Sequence, residues 1–119
     1  MRGRVKILGF HWTYKMMTLA EFLQLHPECE DSGALCLIKK RQIHFIDEEL
    51  SLGIVRHEVR HAFLSCLCLE STKISIEDFE EINCTLDETR WDQMDETSKK
   101  IYKRLKSAKK SHKNIVAQL

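Results

Sequence analysis

The segment AFLSCLCL, residues 62–69, is apolar on nearly every side of any helix drawn through it. A helix without a polar face belongs in the middle of a domain, so this stretch constrains the fold more than any other. The helical pattern begins further back, at about Asp47. There Asp47, Glu48 and Glu49 stand at the end where a helix dipole favours acids. Ser51 offers a second place to cap the same helix. The expectation is one central helix over about 47–69, with the rest of the chain wrapped around it.

What surrounds that helix is read from alternation. Val5 and Ile7, then Phe10, Trp12, Tyr14 and Met16, recur at every second position, with Gly9 shifting the phase as a bulge or kink would. One strand, or two short ones, is expected over 4–16. Thr18 is placed to cap a short helix, LAEFLQLH, that ends before Pro27. PECEDSG is a polar loop. ALCLIKK and QIHFID then read as a hairpin joined near Lys39–Arg41.

Beyond the central helix, Ser75 and Asp78 resemble a capping box for a helix over about 76–86, with Ile76, Phe79, Asn83 and Leu86 as its inner stripe. A last helix from about Asp95 to Ala117 carries Ile101, Tyr102, Leu105 and Ala108 on one face, within a basic C-terminal stretch, 95–119. Strands first and helices after predict an α+β fold. Its small antiparallel sheet, the N-terminal strand plus the hairpin, would pack on the central helix.

A chain of 119 residues suits a single domain, 1–119, with a modest core. A net charge of +1 singles out no partner. No apolar run approaches the roughly 18 residues of a membrane span. The basic start, MRGRVKILGFHWTYKMM, alternates instead of forming the apolar block of a signal peptide. The five cysteines, Cys29, Cys36, Cys66, Cys68 and Cys84, are odd in number and contain no Cys-x-x-Cys pair, which predicts thiols in a reducing, cytoplasmic setting.

The chemistry lies in the central helix, where RHEVRHAF carries His57, Glu58 and His61. Residues four apart stack along a helix, about 5–6 Å between Cβ atoms. The two imidazoles can therefore address one cation at about 2.0–2.1 Å from each nitrogen. Glu58, offset by one residue, can reach a bound water instead of the metal. That is the general-base position in zinc peptidases. Two histidines and a glutamate on a helix this apolar are costly to bury unless they serve such a site.

A catalytic zinc takes three protein ligands and keeps one position open. The third is sought on the next helix among Glu77, Asp78, Glu80 and Glu81. Glu80 lies four after Ile76 and three before Asn83, bordering the inner stripe, and is the first choice. Glu81 turns further outward and is second. For stabilising an oxyanion the sequence offers Tyr102, His112 and His44 without choosing among them. Arg56 and Arg60 fall on another side of the helix from the two histidines, so solvent or a nearby acid is expected to meet them.

The stretch from Gly9 to Leu86 resembles small gluzincin-type zinc metallopeptidase-like proteins, a group that includes short phage and bacterial chains and the peptidase domain of ImmA/IrrE-type regulators. The likeness rests on KILGFHW, on QIHFIDEELS leading into IVRHEVRHAFL, and on the helix opening DFEEINCTL. It implies zinc held by His57, His61 and Glu80, Glu58 as base, and a protein or peptide substrate. It also implies that strand Gln42–Ile46 runs along the cleft as an edge against which the substrate backbone pairs. One departure is Cys84. It stands where related enzymes often carry an acid that orients a histidine.

Two other readings belong beside the peptidase: a zinc-binding interaction module without turnover, and a nucleic-acid-associated protein acting through the basic helix 99–113, KKIYKRLKSAKKSHK. That run lacks interleaved stacking aromatics, so a solvated helix face accounts for it as well.

Overall fold

The computed structural model describes residues 1–66 and 88–118. The N-terminal alternation folds as two strands, β1 (Arg2–Ile7) and β2 (Phe10–Met17), paired antiparallel with Ile7 opposite Phe10. Gly9 is part of a reversal and not a bulge: Leu8 and Gly9 both take positive φ, 49° and 85°, as a two-residue hairpin loop requires. Helix α1 (Leu19–Leu25) follows. Its cap is Thr18, whose side chain accepts from the Glu21 N–H at 3.2 Å. The expected hairpin is β3 (Ala34–Leu37) and β4 (Gln42–Ile46), joined by a 3-10 turn over Ile38–Lys40 and by Arg41 in the left-handed region.

The α+β class is as expected. Among the described residues the sheet has four strands in the order β1-β2-β4-β3, and it is mixed because β2 and β4 run parallel. This arrangement corrects one expectation. Gln42–Ile46 is not an edge: it is hydrogen-bonded to β2 on one side and β3 on the other, so its backbone has no free row to offer a substrate. The edges are β1 and β3.

The central helix also starts later than about Asp47. Asp47–Glu49 forms a separate 3-10 turn, Leu50 is extended (φ −62°, ψ 124°), and α2 runs Leu52–Cys66. Ser51 is the cap in use: its Oγ accepts from the Ile54 N–H at 3.2 Å. The acids thus precede the helix instead of opening it. One of them, Glu48, accepts from the Leu19 N–H at 2.6 Å and ties the turn to α1.

Helix α3 spans Glu88–Gln118, beginning about two turns before the expected Asp95. Trp91, Met94, Ser98, Ile101 and Leu105 continue one stripe at spacings of three and four. Ser98, Ile101 and Leu105 are fully buried on it. The Ser98 hydroxyl is satisfied by the Met94 carbonyl at 2.8 Å. The helix expected over 76–86 lies outside the described residues, as do Glu77, Asp78, Glu80, Glu81 and Cys84.

Helices α2 and α3 cover one face of the sheet. Val55, Val59, Ala62 and Phe63 of α2 and Ile101 and Leu105 of α3 meet Val5, Ile7, Trp12, Tyr14, Ala34, Ile43 and Phe45 in one core. Each of the larger side chains contributes about 1.5–3 kcal/mol by leaving water. Gly3 makes room within this core, because a Cβ there would run into the Tyr14 ring. The Tyr14 hydroxyl in turn accepts from Arg104 Nη1 at 3.3 Å. On the opposite face α1 covers only part of the sheet, with Phe22 against Met17 and Ile46.

Candidate metal centre

Helix α2 presents three kinds of side chain in turn. Val55, Val59, Ala62 and Phe63 face the core. Arg56 and Arg60 face α3, as expected of a side distinct from the histidines. Arg56 Nη2 lies 2.7 Å from Asp95 Oδ1, and the Arg60 guanidinium sits 5.2 Å from the centre of the Trp91 ring. The Arg56 pair is solvent-exposed and screened, so it adds little to stability. Lys99 and Arg56 together hold the Asp95 carboxyl below the usual carboxylate range, mainly through their hydrogen bonds to it.

His57 and His61 project from the side away from the sheet and are exposed, so the burial cost expected for all three residues falls on Glu58 alone. Their Nε2 atoms face each other at 3.2 Å, with the rings edge-on, 82° apart and 4.8 Å between centres. Two nitrogens each bound to one tetrahedral zinc stand about 3.3 Å apart. The spacing thus matches that of two nitrogens on a shared ion. It also fits a hydrogen bond between one protonated and one bare nitrogen.

Glu58 lies between the two histidines in sequence but turns inward and is 7% exposed. Burial pushes its carboxyl above the ordinary carboxylate range, and the imidazoles of His61 and His57 pull the other way. Glu58 is therefore a more basic carboxylate than a surface glutamate, placed near the imidazoles of His61 and His57.

Among the described residues no cluster of three or more His, Cys, Asp or Glu is disposed to hold a metal. His57 and His61 supply two donors of the right chemistry and spacing. The third expected donor, Glu80 or alternatively Glu81, falls outside the described residues.

Of the candidate oxyanion groups, His44 is removed from the site. It alternates with Ile43 and Phe45, so it points to the α1 side of the sheet, opposite α2. There its Nδ1 shares a hydrogen bond with His26 Nε2 at 3.0 Å, and its Nε2 is 3.3 Å from Gln42 Oε1. His26 is thus a satisfied polar residue. Tyr102 lies partly buried on α3 with Lys106 Nζ 5.8 Å from its ring centre. Nothing is described of the His112 side chain.

Burial, followed by the nearby charges of His26, Lys15 and Lys40, lowers the His44 pKa from 6.5 to about 4. Between those values the unfolded chain binds more protons than the folded one, so stability falls as pH drops from about 6.5 towards 4. His44→Gln keeps a polar partner for His26 but cannot titrate. It is expected to flatten the decline in urea midpoint across that window, and equal slopes in variant and wild type would contradict this role.

Several cations of the 99–113 run are engaged by the protein itself. Lys99 Nζ is 3.0 Å from Asp95 Oδ2, and Arg104 Nη1 donates to the Arg4 carbonyl at 3.2 Å. Lys109 Nζ donates to the Asp47 carbonyl at 3.0 Å. The same ammonium is 3.0 Å from Asp47 Oδ1 as an ion pair without hydrogen-bond alignment. Among the described residues no helix is long and apolar enough to cross a membrane. No protein-family model, curated protein or solved structure matches this chain.

Proposed function

We propose that the chain is a zinc-dependent peptidase that hydrolyses a peptide bond in a protein or peptide substrate. The observation that carries this reading is the convergence of His57 and His61 Nε2 at 3.2 Å, with the buried, basic Glu58 carboxylate between them in sequence. His57, His61 and a carboxylate from Glu80 would hold the ion, with Glu81 the alternative. A zinc ion in that place polarises a substrate carbonyl and makes water acidic near neutral pH. Glu58 accepts the proton from the attacking water and passes it to the leaving amine. Its elevated pKa suits both steps. Among the described residues the open edge next to α2 is β3, where Ile54 of α2 approaches Gly33, and an extended substrate would pair along it.

Stripping the protein with a strong zinc chelator is expected to abolish cleavage of a broad peptide library, and added zinc is expected to restore it. Cleavage that persists in the stripped protein would contradict the reading. A wild type that binds zinc yet cuts nothing would support the zinc-binding module without turnover.

A further inference from the structure

The sheet face opposite α2 and α3 is only half covered. Helix α1 lies over the β4 side through Phe22, Met17 and Ile46, which leaves the outward positions of β1 and β2 open. On β1 those positions are Arg2, Arg4 and Lys6, all exposed and alternating with buried Val5 and Ile7. On β2 they are His11, Thr13 and Lys15. The ladder sets Arg2 beside Lys15, Arg4 beside Thr13 and Lys6 beside His11.

None of these six residues is acidic. Among the described residues, no ion pair neutralises any of their cations. Arg104 reaches the same strand edge from α3, donating to the Arg4 carbonyl at 3.2 Å. Four cations, Arg2, Arg4, Lys6 and Lys15, thus share one open sheet face. Most acids lie elsewhere, at Glu21 on α1, at Glu28, Glu30 and Asp31 in the loop after it, and at Asp92 and Asp95 on α3, while Glu96 of α3 lines a cleft with Lys6 at the edge of the face.

We propose that the open face of β1 and β2 binds the phosphate backbone of duplex nucleic acid without reading its sequence. Outward side chains repeat about every 6.7 Å along a strand, and cross-strand neighbours stand about 5 Å apart. Fixed positive charges on that grid match a row of phosphates. They carry no base-specific pattern, because backbone contacts position a protein without reading sequence. A single-stranded partner fits less well, since the His11 imidazole is the one ring at these six outward positions and makes no row of stacking platforms. An anionic bilayer fits less well too. Peripheral attachment there adds buried apolar area, and the six positions offer no apolar side chain. The surface is separate from the His57–His61 site and does not depend on the peptidase reading.

The test is fluorescence anisotropy with a labelled DNA duplex of about 20 base pairs and mixed sequence, at about 50 and 200 mM salt. Wild type is expected to bind at the lower salt and to weaken with a log–log slope of about −3, as three or four phosphate contacts require. Arg4→Glu with Lys6→Glu is expected to weaken binding at least about tenfold and to flatten the slope by about two. Lys103→Glu with Lys106→Glu, on the exposed side of α3, is expected to change it by less than about twofold. Circular dichroism checks the fold of each variant. Arg4→Gln with Lys6→Gln replaces the reversed pair should that pair unfold, with a loss of at least about threefold expected.

No binding at low salt, or undiminished binding by the β1 variants, would overturn the proposal. So would loss confined to the α3 variant. Tighter binding to phosphatidylserine vesicles than to the duplex would overturn it in favour of a lipid surface. Self-association abolished by the β1 variants would overturn it in favour of a second copy of the chain, whose acidic α1 side is the complement.

Discussion

Glu58→Gln is expected to slow peptide hydrolysis by about 10²–10⁴-fold while zinc remains bound. The substitution keeps the shape of a side chain that is 7% exposed and packed on the inner side of α2, so the helix and the His57–His61 pair stay in place. What it removes is a proton acceptor. Burial makes the native carboxylate more basic than a surface glutamate, and the two imidazoles moderate that shift. An amide in the same place cannot take the proton from water. The check is turnover of peptides cleaved by wild type, measured together with metal content. Retained turnover would remove Glu58 from the mechanism. Zinc lost in parallel with turnover would make it a ligand or a structural support instead of a base.

Trp12→Ala is expected to cost about 3–5 kcal/mol, out of the 5–15 or so that holds a domain of this kind together. Trp12 is 1% exposed and sits in the core among Val5, Ile7, Tyr14 and Ile43, under α2 and α3. Its Nε1–H has no hydrogen-bond partner among the described residues. A buried donor left unpaired costs about 1–3 kcal/mol. Trp12→Phe deletes that donor along with part of the ring, and the two effects oppose each other. Its net cost is expected to stay below about 1.5 kcal/mol. Urea unfolding of the two variants checks the contrast, and equal losses would contradict it.

Much of the fold was legible because burial follows local pattern. Alternation on both sides of Gly9, the Thr18 cap, the hairpin near Lys39–Arg41 and the stripe through Ile101 and Leu105 each depend on neighbours close in sequence. The parallel pairing of β2 with β4 does not: nothing local distinguishes a strand that inserts beside β2 from one that adds at an edge. The Leu8–Gly9 reversal was hidden because leucine is an unusual occupant of a positive-φ turn position. The start of α2 was misplaced because Asp47, Glu48 and Glu49 suit the front of a helix whether they lie in it or precede it. Ser51, four residues on, is what captures the first N–H groups.

Within the site, the spacing of His57 and His61 was readable from helical period alone, and their Nε2 atoms meet as that period implies. The inward turn of Glu58 follows from its place between Val55 and Ala62 on the packed side. The exclusion of His44 could not be read from its own strand. Alternation says that it faces away from Ile43 and Phe45, but which face α2 covers is a tertiary fact.

The central claim is a metal held by His57 and His61. Its most direct test is the zinc content of the purified wild type beside that of His57→Ala. The account predicts about one equivalent of zinc per chain in the wild type, as a site of three protein ligands holds, and a loss of most of it when one imidazole is removed. A wild type free of zinc after zinc-supplemented expression, or a His57→Ala variant that keeps its full complement, would contradict it.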